Sequence, residues 1–320
     1  SKSYHLGFGK NVTRSNLSKA NENRNFKIFE DFANHLILIA QEKNSNDSFE
    51  IKGTVYAFDS STIDLCLSVF WWAHFRKTKA GIKLHTLFDI NTQIPVFIHI
   101  TEANVHDVNA MDIINYEPFA YYIFDRAYVD YLRLYQITKS TAYFVVRAKS
   151  NLKFKRMYSK KTDKSTGVIY DQTGKIDGFY TSKDYPEKIR KVKFFDAENN
   201  KILIFLTNNF DLSAGQIALL YKQRWQIELF FKWIKQHLKV KTFWGTTENA
   251  VRIQINIAII TYCLVSIIAK DLKINRSIYE ILQILSASLL AHTPVNELLM
   301  KSDYNNINEL DSNQLVFNLF

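Results

Sequence analysis

The sequence predicts an α/β protein: a mixed sheet flanked by helices, with a β-rich insertion and a helical C-terminal region. Three observations predict it. Two apolar runs, Thr54-Val55-Tyr56-Ala57-Phe58 and Ala120-Tyr121-Tyr122-Ile123-Phe124, each stop at an aspartate, and unbroken β-formers without alternation mark strands buried on both faces. Helical segments alternate with these runs in the order β-β-β-α-β-α-β. Finally, Tyr221 to Lys239, YKQRWQIELFFKWIKQHLK, holds no Gly or Pro and is rich in good helix formers. The chain has 320 residues, 47% of them hydrophobic, enough to bury a large core in one or two domains.

Residues 1–25 are polar and are expected to be loosely structured. From Phe26 a helix follows, because Phe29, Phe32, Ala33, Leu36, Ile37 and Ala40 fall on one face; a polar loop over Glu42–Ser48 ends it. Thr54–Phe58 is the first strand. Ile82–Ile90 and Pro95–Thr101 are two more, joined at Asn91-Thr92-Gln93 as an antiparallel meander. His106-Asp107 opens a short helix, Ala120–Phe124 is the fourth strand, and a helix over Tyr128–Thr138 leads to a strand at Ala142–Val146. From Lys149 to about Asn200 lysines and arginines stud short β-like pieces, with a hairpin turning at Glu198-Asn199-Asn200. The key helix begins near Ala214, with Asp211 or Ser213 as its cap. Apolar helices follow at Glu248–Lys270, Ser277–Ala291 and Val295–Lys301. The domain reading is therefore an N-terminal segment (1–48), a first core part (49–148), a basic β-rich insertion (149–203), a second core part with the helical region (204–301) and a polar, frayed tail (302–320).

The 41 Lys+Arg against 31 Asp+Glu leave a formal charge of +10, which favours a polyanionic partner, nucleic acid before an anionic membrane. Cys66 and Cys263 are too few for a disulfide framework or a thiolate zinc site, and fit a reducing cytoplasm. Ile253–Ala269 is apolar enough to raise a membrane span, but Gln254 and Asn256 interrupt it and a core helix is the favoured reading.

The chemistry centres on acids. If the first and fourth strands are adjacent and parallel, they lie about 4.8 Å apart, and Asp59 and Asp125 face each other at one sheet edge. On a continuous helix Tyr221, Glu228 and Lys235 fall within roughly 60° of Arg224. Alone, Arg224 and Glu228 read first as an ordinary surface ion pair, worth about 0.3–0.5 kcal/mol, with Lys235 solvated. With the two aspartates, Glu228 becomes a third carboxylate, and three carboxylates suit Mg²⁺ or Mn²⁺, two ions of which support in-line phosphoryl transfer. Arg224 and Lys235 then hold nucleic-acid phosphates, and Tyr221 bonds a phosphate or the water shell. Rival positions are Asp64, which points the other way if the strand continues; Asp89, which approaches a turn; the Glu102, His106, Asp107 cluster; and Asp130, a first-turn acid. Phe75-Arg76-Lys77-Thr78-Lys79, near Trp71 and Trp72, reads as a solvated loop or a DNA contact.

Tyr221-x2-Arg224-x3-Glu228-x6-Lys235 resembles the Y-R-E-K motif of a large group of bacterial insertion-sequence DDE transposases. The Asp59-Ser60-Ser61-Thr62 and Phe124-Asp125-Arg126 contexts are similar to that group's first two acids, and the resemblance covers roughly Ile51–Lys270. It implies a ribonuclease-H-like core and Asp59, Asp125 and Glu228 as catalytic metal ligands. Tyr221, Arg224, Lys235 and Arg126 are the implied DNA contacts. It further implies Mg²⁺ dependence, cut-and-paste movement of double-stranded DNA by a homodimer on paired ends, and a nucleoid-associated bacterial cytoplasmic location without a membrane partner. Family members carry an N-terminal domain that binds the element end; about fifty residues precede the first strand and the chain starts at Ser1, so that domain is expected to be lacking. The alternatives are a nuclease of the same fold without strand transfer, a truncated or domesticated DNA-binding derivative, and a membrane-surface protein.

Overall fold

A computed structural model of the chain describes residues 12–45, 51–76, 79–237, 243–288 and 293–300. Of the expected loose segment 1–25, residues 1–11 lie outside the described residues, and the rest is more ordered than its polarity suggests. Thr13 caps a helix α1 over Arg14–Asn23 by accepting from the Asn16 N–H, and Asn25 caps α2 over Phe26–Asn44. In α2 the face Ala33, Leu36, Ile37, Ala40 is buried as the spacing predicts, whereas Phe32 is exposed. The loop expected from Glu42 thus starts three residues late, at Ser45, and its positions 46–50 lie outside the described residues.

The strands are β1 (Val55–Leu65), β2 (His74–Arg76), β3 (Lys79–Asp89), β4 (Ile94–Glu102), β5 (Tyr121–Phe124), β6 (Tyr143–Arg147), β7 (Phe154–Lys160), β8 (Val168–Ile176), β9 (Ile189–Asp196) and β10 (Lys201–Thr207). All belong to one sheet, ordered β2-β3-β1-β5-β6-β10-β9-β8-β7 with β4 on β3. The predicted meander is present: β3 pairs antiparallel with both β1 and β4. The predicted adjacency is present too, since β1 runs parallel to β5 with Ala57 opposite Ile123, and β5 runs parallel to β6. Helix α3 (Tyr131–Lys139) starts later than expected because a short 3₁₀ turn, Arg126–Tyr128, precedes it and Asp130 is its cap. His106-Asp107 opens a 3₁₀ helix, Asp107–Ile113. The core beside β1, β5 and β6 is aromatic, with Phe58, Phe124 and Tyr128 in edge or tilted contact. Burying each such ring stabilises the fold by roughly 1.5–3 kcal/mol.

Two expectations need correction. The first strand does not stop at Asp59: β1 runs on to Leu65, because Ser61, Thr62 and Ile63 continue to pair with β3. What ends near Asp59 is the parallel pairing to β5. Second, in the stretch read as a solvated loop or a DNA contact, Phe75 and Arg76 lie in β2 and Lys79 in β3, which pair antiparallel, while Lys77 and Thr78 lie outside the described residues. The basic insertion joins the core sheet: its strand β10 pairs with β6, its hairpin β9–β10 extends that sheet, and β10 runs on to Thr207.

One buried cation stitches this extension to helix α5 (Ala214–Lys222). Arg190 on β9 makes a two-pronged bond to Asp171 on β8, at 2.9 and 2.8 Å, and donates to the Asn209 and Leu212 carbonyls in the turn before α5. Asn209 shapes that turn by accepting from the Asp211 and Leu212 N–H groups. Ser213 and Gln216 then form a capping box.

Contacts separate a large unit, Thr13–Leu264, from a second made of Ser1–Val12 and Val265–Phe320. The C-terminal helices are α7 (Glu248–Asp271), α8 (Ile278–Ser288) and α9 (Val295–Met300), close to expectation. In the second unit Val265, Ile281 and Leu299 form a small core; the predicted tail lies outside the described residues. Helix α7 is long and apolar enough to cross a membrane, yet two-thirds of its most apolar window is buried. Val251, Ile253, Ile255 and Ala258 are all covered and Tyr262 packs edge-on against Phe230 and Trp233, so it is a core helix.

Arg190→Leu leaves Asp171 charged and buried, so it should lower stability by about 3–5 kcal/mol in urea unfolding. A loss below about 1 kcal/mol would show that the stitch is dispensable.

Candidate active site

Strand alternation and the end of the parallel pairing decide where the acids sit. Asp59 follows the buried Phe58 on β1, and Asp125 follows Phe124 at the end of β5. Both therefore emerge where β1 and β5 part. Ser60 donates its N–H to Asp59 Oδ1 at 2.8 Å, fixing that carboxylate against its own strand.

The segment read as one helix from Ala214 through Lys239 is two. Helix α5 ends at Lys222, and α6 runs over Trp225–His237, with an elbow at Gln223-Arg224. Through the elbow the backbone bonds tighten to three-residue spacing: Arg224 N to Tyr221 O, Gln226 N to Gln223 O and Ile227 N to Arg224 O. No Gly or Pro lies there. The elbow coincides instead with two long-range ties. The Tyr221 hydroxyl donates to Asp125 Oδ1 at 3.0 Å, and Arg224 Nη1 to Asp59 Oδ2 at 2.9 Å. Arg224 Nη2 also reaches Glu228 Oε1 at 2.5 Å, one turn into α6.

The structure thus brings Asp59, Asp125, Tyr221, Arg224 and Glu228 to one place, but in a different arrangement from a single stripe. Tyr221 is buried and bonded to a carboxylate rather than open to a phosphate, with its ring on Phe205. Arg224 bridges two of the acids. The Asp59 side chain is only 20% exposed while Glu228 is 55% exposed, so Glu228 meets the aspartate through Arg224. Asp59, Glu228, Phe231, Lys232 and Lys235 line one cleft of about 400 Å³. Lys232 was not singled out from the sequence, although it lies one turn beyond Glu228. Arg126 is exposed in the 3₁₀ turn after Asp125.

Of the rival acids, Asp64 is exposed on the other face of β1, and Asp89 accepts from Asn91 and Thr92 N–H as a turn former. Asp130 caps α3 and pairs with Arg133. Asp107 is the one drawn in: it accepts from Ser60 Oγ at 2.7 Å and pairs with Lys83 at 3.0 Å. Its companions differ, since Glu102 bonds Asn104 and His106 makes no side-chain cap. No sequence signal pairs Lys83 with Asp107, because the meander alone brings them together.

Burial pushes the Asp59 carboxyl up to about 6. The Ser60 N–H and Arg224 oppose that rise, and the negative charges of Glu228 and Asp125 add to it. Burial likewise pushes the Tyr221 phenol up to about 12, keeping it a donor. Among the described residues no three His, Cys, Asp or Glu side chains are gathered as a ready metal site.

A sheet ordered β4-β3-β1-β5-β6, antiparallel then parallel, with acids at the carboxyl ends of β1's and β5's paired segments, defines the class: a ribonuclease-H-like enzyme core. The family model "Transposase DDE domain" matches residues 50–264, and the chain belongs to that family of bacterial insertion-sequence transposases. It is 35% identical over 271 residues to the y4zB protein of Sinorhizobium fredii, named as a transposase, spanning 83% of this chain and 74% of that one. It is 30% identical to a protein of Geobacillus stearothermophilus named as a transposase of insertion sequence element IS5377, spanning 72% of this chain and 60% of that one. A Synechocystis relative named for insertion sequence element IS4SA is 24% identical over 87% of this chain and 78% of its own. A solved piggyBac transposase synaptic complex with hairpin DNA covers 80% of this chain and 56% of its own, at TM-score 0.44 and 12% identity, too loose a likeness to build on. The chain is therefore a DNA transposase by family, an enzyme of DNA cleavage and joining, and its family generally uses divalent metal ions.

Because the folded Asp59 carboxyl sits above its ordinary value of 3.8, the native state holds a proton that the unfolded chain releases. Stability in the absence of metal should fall as pH rises from 3.8 to about 6 and stay low above it. Asp59→Asn should therefore raise the melting stability of the metal-free protein at pH 8 by about 1–3 kcal/mol, and by nothing near pH 3.5. Equal melting of variant and wild type at pH 8 would refute this.

Proposed function

We propose that the chain is the catalytic part of a transposase of the group marked by Tyr221, Arg224, Glu228 and Lys235, with Asp59, Asp125 and Glu228 as its catalytic carboxylates. One observation carries this reading. The two strand-end aspartates are each held by a residue of the α5–α6 elbow, Asp125 by Tyr221 and Asp59 by Arg224, and Glu228 is held by that same Arg224. A surface ion pair needs none of this; a site that must position three like charges does.

The donor set fits a hard divalent cation. All three candidates are carboxylates, no thiolate or imidazole stands among them, and negative charge is concentrated where burial already penalises it. Mg²⁺ or Mn²⁺, as two ions held by Asp59, Asp125 and Glu228, is the proposed cofactor; when bound, they supply Lewis-acid polarisation of the phosphate and offset charge at the attacking and leaving oxygens.

The chain's own groups do the rest by positioning and electrostatics. Arg224 neutralises part of the charge between Asp59 and Glu228 while fixing both, and Tyr221 sets the rotamer of Asp125. Lys232 and Lys235 line the cleft beside Glu228, where the incoming phosphates would sit. Arg126 extends the positive edge past Asp125. In the first step a water oxygen bonds to phosphorus at the element end and the P–O3′ bond breaks. The water gives up a proton and the departing oxygen becomes a 3′-hydroxyl. In the second, that hydroxyl attacks another phosphodiester and displaces its 3′-oxygen. Action on paired ends calls for a homodimer on double-stranded DNA, and such DNA places the protein with the bacterial nucleoid. We take residues 49–148 and 204–264 as the catalytic body, whose sheet residues 149–203 extend.

A nuclease of the same family that cuts without joining is separated by its products. Wild type should nick element-end DNA with Mg²⁺ and yield joined strands, while Asp59→Asn, Asp125→Asn and Glu228→Gln should each fall by at least about a hundredfold. Equal cleavage by all four proteins would overturn the carboxylate assignment, and hydrolysis without joined products would overturn strand transfer.

A further inference from the structure

The part of the sheet contributed by β7, β8 and β9 has two faces of different character. One packs towards α5: it holds the Arg190–Asp171 pair and continues on β10 with Phe205, whose ring meets Tyr221. The opposite face carries Arg156 from β7, Tyr170 and Gln172 from β8, and Lys191 and Lys193 from β9. Cross-strand register supports the grouping, since Lys191 lies opposite Gln172 and Lys193 opposite Tyr170.

On this second face, among the described residues, Lys191 and Lys193 gather around aromatic rings rather than around acids. The Lys191 ammonium stands 4.2 Å above the Phe154 ring centroid and 5.2 Å from that of Tyr170, and Lys193 lies 5.6 Å from the same Tyr170 ring. The rings hold the ammonium groups in place, since a cation over a ring face is attracted by its quadrupole. The acid on the neighbouring strand, Asp171, points the other way and is matched by Arg190. Burial and then the charges of Arg156 and Lys193 lower the Lys191 ammonium below its ordinary value. Like charges are thus crowded together and fixed on a rigid sheet, where a polyanion would relieve their repulsion.

The position of the face relative to the acids also follows from register. Phe124 lies opposite Val146, Val146 opposite Leu206, and Leu206 opposite Lys191. Lys191 therefore shares a row and a face with Phe124, whereas Asp125, one residue on, turns to the side of Tyr221 and α5. Three strand spacings separate β5 from β9, roughly 14 Å. From β7 to β9 is roughly 10 Å, within the span of a DNA major groove of about 12 Å.

We propose that this face of β7, β8 and β9 binds the phosphate backbone of a DNA duplex through Arg156, Lys191 and Lys193, as a contact separate from the one at Asp59, Asp125 and Glu228. The proposal rests on the protein's action on DNA and adds a second place where DNA is held. Such a contact positions a duplex without reading its sequence, and it serves a stretch of DNA on the other side of the sheet from the bond being cut.

The test compares wild type with Arg156→Gln/Lys191→Gln/Lys193→Gln, and with Lys191→Arg/Lys193→Arg, in binding a random-sequence duplex by fluorescence anisotropy over a range of NaCl. Each phosphate contact contributes about 0.9 to the slope of log affinity against log salt. The Gln variant should therefore show a slope shallower by about 2–3, the Arg variant the wild-type slope, and both should cleave a short element-end duplex at the wild-type rate. An unchanged slope in the Gln variant overturns the proposal, as does an equal loss in the Arg variant, which would mark a packing effect. If cleavage of the short duplex falls together with binding, the face belongs to the cleavage site and separateness is overturned. If the wild type cleaves while the Gln variant binds normally, this inference fails and the transposase mechanism stands; if the wild type neither binds nor cleaves, the mechanism fails as well.

Discussion

The Arg224 guanidinium is the constraint on which the candidate site depends. It joins Asp59 on a central strand to Glu228 on a helix, across 165 residues of chain in the first case and one helical turn in the second. Without it, two carboxylates and a third nearby would repel in a partly buried cleft, and Asp59 already carries a raised pKa through burial and that repulsion. Coulomb energy between unit charges a few ångströms apart is several kcal/mol at the effective dielectric of a protein surface. The cation therefore governs where the acids stand as much as whether they are charged. Tyr221 does the same for Asp125 with a neutral donor.

That constraint accounts for the elbow. A helix through Gln223 and Arg224 has no local reason to break, yet Tyr221 must meet the end of β5 and Arg224 must meet β1. A straight helix puts its stripe along one line; the two aspartates do not lie on that line. Tightening the backbone for a few residues re-aims α6, and the tertiary bonds outweigh the small loss of regular helix. The β-rich extension supports the same geometry from behind. Arg190 ties β8 and β9 to the turn that launches α5, so the strands of the insertion fix the direction from which Tyr221 approaches.

Much of the fold was legible in the chain. Apolar runs that stop at acids marked β1 and β5, the Asn91-Thr92-Gln93 turn marked the meander, and Asp211 or Ser213 marked the start of α5, which Ser213 caps. The candidate acids were legible too, because an aspartate directly after a buried run is the residue that leaves the core. Less legible was anything that depends on pairing beyond the neighbouring element. The extension of β1 past Asp59 depends on β3, the continuation of the core sheet into β10 depends on β6, and the entry of Asp107 depends on Lys83 and Ser60 meeting across the meander. The helix over residues 14–23 was hidden for a related reason: Thr13 is a clear cap, but a polar helix has no apolar stripe to announce it.

By itself, the sequence determined which residues are candidates for the chemistry, that two of them end buried runs, that three others share a short segment, and that the chain carries a surplus of positive charge. These follow from local composition and spacing, which need no partner. Only the tertiary structure decided how those residues meet. It turned one helix into two, set Tyr221 and Arg224 on the aspartates instead of leaving them open, left Glu228 half exposed, and divided the basic insertion into a face that supports the site and a face of cations seated on aromatic rings. The physical reason is that strand register and long-range ion pairs are set by energies summed over the whole sheet, and no window of sequence contains that sum.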